Sequence, residues 1–217
     1  MKQLLAILAI TFLIALSFDA KVAVDHNANN VANREFKFKT IPSPVKDDAA
    51  KNAKLILVDG EMDANGADLA AVTDGALPTN EDDPSTNFFF SAGTSGGRFR
   101  FDLGKVIEVA QVNSYSWHPN TRGPQIYKLY GSDGSDPKFN ADPNRKIDPA
   151  TAGWTLIASV NTSNSFGAEG GQYAVGITNP NGSLGKYRHL LFDCSVTETN
   201  DDWGNTFYSE IDVIEKK

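Results

Sequence analysis

From residue 88 onward, short apolar runs of alternating pattern recur between Gly, Pro, Asn and Asp turns. Arg98–Leu103 places Phe99, Phe101 and Leu103 on one face, and Trp154, Leu156, Ala158 and Val160 alternate likewise. Between them lie two extended runs joined by a polar corner, His118-Pro119-Asn120-Thr121-Arg122-Gly123-Pro124. Residues 172–177, 184–196 and 207–214 continue the series. Only residues 67–72 have the composition for a turn or two of helix. A period of two, broken every few residues by turn chemistry, admits one economical solution: an all-β fold of short strands, an antiparallel β-sandwich.

The first third of the chain is less regular. Lys2 precedes an apolar run, Leu4–Leu16, too short to span a bilayer and of the length of a secretory leader, with small residues permitting cleavage after Ser17 or Ala20. Residues 1–20 are thus expected to be a signal peptide, and the mature protein to be secreted, periplasmic or on the cell surface, with no membrane span. Residues 21–54 form an N-terminal extension. The extension has room for one added strand: its Asn-rich start, 21–33, reads as a linker or a loosely held leader, and Glu35–Lys39 as a half-exposed strand ended by Pro42 and Pro44. Lys54–Val58 reads as the first strand of a single domain over residues 55–217. The Asp/Asn/Gly/Pro-rich stretch 59–87 has the length of a functional or metal-organised loop.

The net charge of −7 over 217 residues argues against a nucleic-acid partner, which would need Lys/Arg stripes. The lone Cys194 allows no internal disulfide, and its strand position predicts a buried thiol. Gly93-Thr94-Ser95-Gly96-Gly97 matches a nucleophile elbow in letters only, because a strand pattern follows where a helix is required. The three histidines, His26, His118 and His189, have no metal-ligand spacing. Glu61-x-Asp63-x-Asn65-Gly66 imitates half of a calcium loop but has Val72 where a bidentate Glu belongs. Nothing here specifies catalysis, and no enzyme is expected.

Taken in series, Thr73-Asp74-Gly75…Thr79, Phe101-Asp102-Leu103-Gly104, the segment Ser114–Gly134, Trp154, and Tyr208-Ser209-Glu210-Ile211-Asp212-Val213 resemble the discoidin, or coagulation factor type C, domain. That domain belongs to the galactose-binding-like jelly-roll superfamily, which includes many carbohydrate-binding modules of secreted bacterial proteins. The likeness runs over roughly residues 55–215. It implies a jelly-roll sandwich and a structural calcium ion held by the side chains of Asp74, Thr79 and Glu210 and the carbonyls of Ala71, Ala76 and Ser209. The chain departs from the family in lacking paired terminal cysteines, in an insertion at 134–152 and in the extension 21–54.

Ligand residues do not carry over by resemblance, since such domains bind sugars through differing loops. Sugars require an aromatic platform and planar donors and acceptors. His118 and Arg122 in the corner, with Asn200, Asp202 and Trp203 in the loop after residue 196, meet that description. The expected function is non-catalytic binding of a carbohydrate or glycan surface. The alternative is an extracellular adhesion or assembly module with a protein partner.

Overall fold

The computed structural model describes residues 19–42, 44–45, 47–198 and 204–217. Among the described residues there are eight strands: β1 (Lys21–Ala28), β2 (Lys54–Asp59), β3 (Gly96–His118), β4 (Ile126–Ser132), β5 (Thr155–Asn161), β6 (Gly171–Thr178), β7 (Gly185–Ser195) and β8 (Tyr208–Glu215). A single helical turn, α1 (Ser163–Phe166), precedes β6. Every pairing is antiparallel, in the order β1-β6-β3-β7-β4-β5, with β2 and β8 also on β3.

The 23-residue β3 makes this a sandwich rather than one open sheet. Its first part, Gly96–Asp102, pairs with β2 and β7, whereas Gln111–His118 pairs with β6 and β8. The register breaks between Asp102 and Ile107, where Gly104 takes φ +77°, a left-handed conformation that glycine adopts without a Cβ clash. The strand thus passes from one layer to the other. Phe99, Phe101, Leu190 and Phe192 of one layer face Val112, Val175, Ile177, Ile211 and Val213 of the other in one core. Phe99 and Phe192 stack at 5.1 Å. Each buried aromatic of this kind contributes about 2–3 kcal/mol of hydrophobic stabilisation. Cys194 lies in the same core, where burial pushes its thiol up to about 12.

Both outer faces are covered. The alternation that sends Phe99 and Phe101 inward sends Arg98 and Arg100 outward, yet these are buried too, under the 134–152 insertion. Arg98 Nη1 donates to the carbonyls of Pro143, Asn144 and Ile147 at 3.1, 2.8 and 2.8 Å, and Nη2 to Asp193 at 2.9 Å. Arg100 Nε meets Asp142 at 2.6 Å, and Trp154 Nε1 donates to the Asn140 carbonyl. Trp154, just ahead of β5, therefore belongs to the cover, with Tyr130 and Leu191, while Ala158 and Val160 of β5 belong to the core. A register shift between Leu129 and Tyr130 produces that change of side and leaves Leu156 49% exposed, against the simple alternation.

The extension corrects two expectations. Residues 21–28 are not a linker but β1, an edge strand on β6. Edge pairing is made by backbone groups and needs little apolar side chain, so a polar run can serve. Residues 35–39 form no strand. The Asp25 carboxylate accepts the N–H groups of Thr40 and Ile41, at 2.6 and 3.0 Å, which turns this segment over the β6–β3–β8 layer. There Phe38 and Ile41 pack against Tyr115 and Ala174. No helix among the described residues is long and apolar enough to cross a membrane, and residues 1–18 of the expected leader lie outside them.

Candidate functional site

Three loops meet where β3 ends: 91–94, 118–125 and the one after β7, of which residues 196–198 and 204–207 are described. Phe207 N–H donates to the Arg122 carbonyl at 3.0 Å, Thr206 Oγ1 to the Pro124 carbonyl at 2.7 Å, and Thr197 Oγ1 to the Thr121 carbonyl at 2.6 Å. The Thr121 hydroxyl donates to the Glu198 carboxylate, and Asn205 Nδ2 to the Ser91 carbonyl. These bonds fix a rigid frame at one pole of the sandwich.

Within it, Phe89 and Phe207 stack with centroids 4.0 Å apart and planes 20° apart. The Arg122 guanidinium lies 4.2 Å from the Phe207 centroid and 5.7 Å from that of Phe89, a cation–π arrangement that holds its fork in place. His118, 3% exposed, meets Phe207 edge-on at 4.7 Å. Its Nδ1 accepts the Asn120 N–H at 3.2 Å, while Nε2 has no hydrogen-bond partner and lies 3.8 Å from Asp82 Oδ1. Burial, and secondarily the Arg122 charge, brings its pKa down to about 4 against a weaker opposing pull from Asp82. The ring is therefore neutral near pH 7, and with Nδ1 accepting from Asn120 its single proton sits on Nε2, which is a donor.

The corner thus brings His118 and Arg122 together as expected of their spacing. Asn200, Asp202 and Trp203 lie outside the described residues. The residues beside them, Glu198 and Gly204, bond to Thr121 and Thr197, so that loop starts and ends next to Arg122. Sequence reasoning missed Phe89, Phe207 and Asp82. The Phe88-Phe89-Phe90 run carried a signal, since in extended chain the middle ring faces away from its neighbours.

The second feature lies between the 59–87 loop and β8. A short 3-10 turn, Leu69–Thr73, capped by Asp68, leads into Asp74 and Gly75. Gly75 N–H donates to Glu210 Oε2 at 2.9 Å, and Asp74 accepts the Ala76 N–H at 2.8 Å. The acidic turn and the last strand are therefore in contact. Glu210 is buried beside Asp212 and Asp48, the three carboxylates having oxygens within 4.8 Å of one another. Burial lifts Glu210 to about 9, opposed by the Gly75 N–H and reinforced by Asp212, Asp74 and Asp48, and burial likewise lifts Asp48 to about 7. Asp212 accepts from Val45 N–H at 3.1 Å and Tyr115 OH at 3.1 Å.

Two buried acids and a half-buried third at such separation fit a hard cation, which takes carboxylate oxygens readily. Of the six ligands implied by resemblance, Glu210 is in this cluster and Asp74 adjoins it through Gly75. Ser209 Oγ donates to Asn87 Oδ1 at 2.7 Å, the Ala71 N–H donates to the Asp68 carbonyl at 3.2 Å, and Ala76 and Thr79 are exposed. Asp48 and Asp212 were not foreseen, although Glu210-x-Asp212 puts two acids on one face of a buried strand. The Glu61–Gly66 fragment is a turn, Asp63 accepting from the Asn65 N–H at 2.9 Å.

No protein-family model matches this chain, and no curated protein matches it. Solved structures with a similar fold include carbohydrate-binding modules and lectin domains. The lectin domain of Lectinolysin complexed with Lewis B antigen is 12% identical, with a TM-score of 0.47 over 79% of this chain and 98% of that one. A CBM32 module from Clostridium perfringens, in complex with GalNAc-β-1,3-galactose, is 14% identical, with a TM-score of 0.49 over 77% and 99%. A Streptococcus pneumoniae fucose-binding module is 12% identical, with a TM-score of 0.45 over 78% and 98%.

Proposed function

We propose that this chain is a secreted, non-catalytic carbohydrate-binding module whose ligand sits at the pole built by Arg122, His118 and the loop carrying Asn200, Asp202 and Trp203. The observation that carries the reading is the Arg122 guanidinium laid over the Phe89–Phe207 stack beside a neutral, buried imidazole with an unpartnered Nε2. A saccharide presents adjacent hydroxyls that both give and take hydrogen bonds. Arg122 supplies fixed planar donors, His118 Nε2–H adds a further donor, and Asp82 supplies an acceptor at the rim. Because the stack and the loop bonds hold these groups before ligand arrives, little ordering entropy is spent on binding.

The cation belongs to the same reading. Asp48, Glu210 and Asp212 would hold calcium, with Asp74 adjoining, and the ion would tie the long early loop and the extension to β8. Its role is structural, since the cluster flanks the β6–β3–β8 layer while the sugar contacts come from the loops at the end of β3.

The test is a glycan array followed by calorimetry, using Lewis b, GalNAc-β-1,3-galactose and fucose as first probes. Wild type should bind at least one neutral glycan, and Arg122→Ala should weaken it by about tenfold or more, the usual loss for a charge-assisted bond. Failure to bind any glycan, or equal binding by Arg122→Ala and Trp203→Ala, would remove the proposal.

A further inference from the structure

The β1 extension does more than add an edge strand. Residues 34–38 stand opposite Gly75–Thr79 and enclose an open groove of about 410 Å³ on the outer face of the β6–β3–β8 layer. That volume lies within the range of about 300–1,000 Å³ in which small-molecule sites fall. The groove adjoins a recess of about 10 Å³, the two sharing Phe38, Leu77, Pro78 and Gln172 as walls. Trp117 lines the recess. It is 5% exposed and its Nε1 has no hydrogen-bond partner. An indole N–H left unpaired in such a place has lost its water without replacement, a loss that one incoming oxygen would recover.

The wall chemistry narrows the ligand. Arg34 and Lys37 both line the groove in a chain whose net charge is −7, with Phe36, half-buried, between them. Glu35 in the same wall is paired to Arg34 Nε at 3.0 Å. Gln172 anchors this wall to β6, its Oε1 accepting from Asn27 Nδ2 at 2.8 Å and its Nε2 donating to the Asn33 carbonyl at 2.8 Å. Cations flanking an aromatic edge, above a buried indole donor, suit a ring that is polar and carries a carboxylate.

We infer that this groove is a second binding site, for a carboxylated saccharide such as a uronic-acid or sialic-acid oligomer, separate from the pole. The carboxylate lies between Arg34 and Lys37, the sugar ring rests on Phe36, and a hydroxyl reaches the recess to accept from Trp117 Nε1.

Calorimetry with oligogalacturonate and sialyllactose tests this, with GalNAc-β-1,3-galactose as neutral comparison and poly-L-glutamate as a plain polyanion. One carboxylated saccharide should bind. Arg34→Ala and Lys37→Ala, both at exposed side chains, should each weaken it by about tenfold and Trp117→Phe by about threefold. Neutral-glycan binding should be unchanged in all three, and Arg122→Ala should leave the acidic sugar bound. The inference is overturned if neither acidic saccharide binds, leaving the recess to a water, or if Arg34→Ala and Lys37→Ala bind as wild type. Equal binding of poly-L-glutamate, or loss of the acidic sugar in Arg122→Ala, overturns it as well, the last leaving the pole reading intact.

Discussion

Two buried basic side chains carry opposite lessons. Arg98 is spent on structure: three carbonyls of the insertion and Asp193 take its guanidinium protons. Arg98→Met should cost about 3–5 kcal/mol in chemical unfolding, because the carbonyls and a largely buried carboxylate lose their partner. Stability within about 1 kcal/mol of wild type would mean the insertion is held otherwise. His118 instead keeps one ring nitrogen in hand. Its folded pKa is about 4 and its unfolded value 6.5, with Arg122, Asp82, Asn120 and Phe207 facing it. A group whose folded pKa is depressed contributes fully above its unfolded value and loses that contribution as pH falls through the folded one. Stability should therefore decline between about pH 6.5 and 4, and His118→Gln should flatten that part of the profile in a pH series of thermal melts. An unchanged slope in the variant would place the acid sensitivity elsewhere. The structural role of Arg98 was not legible beforehand, whereas His118 stood out in sequence as a candidate contact. Arg98 read as the outward residue of a half-exposed strand, and only the fold of 134–152 buries it.

Among the elements, the strands of the second half were readable because their side-chain alternation reports a core that lies between two layers. The extension was not, and for a definite reason. β1 is specified by the open edge of β6, a partner about 150 residues away, while Glu35–Lys39 alternates because its phenylalanines cover a sheet face. The period-two signal reports burial on one side and does not distinguish a strand from an irregular strap. The contact between the acidic turn and β8 was anticipated by resemblance, but Asp48 joins it from the extension, which the resemblance does not cover. That junction gives a thermal prediction. Millimolar calcium should raise the melting temperature, chelator should lower it, and Asp212→Asn should remove most of the difference, as expected when a ligand binds only the folded chain. Identical melts with calcium and chelator would show that the three acids are accommodated by protonation alone.

Taken whole, the molecule is a sandwich with separate duties at its surfaces: the insertion seals one outer face, the extension straps the other, and the loops after β3 and β7 meet at one pole. The pole was half visible in sequence, through the corner that contains His118 and Arg122. Its aromatic floor was not, because Phe89 and Phe207 come from distant loops and meet only once the strands are paired. The division of surfaces makes the glycan reading locatable by amide chemical-shift mapping of the isotope-labelled protein titrated with a neutral oligosaccharide from the array. Shifts should concentrate at Asp82, Asn120–Arg122, Glu198 and Gly204–Phe207. Shifts confined to Arg34–Phe38, or none at saturating sugar, would contradict the assignment of the pole as the carbohydrate site.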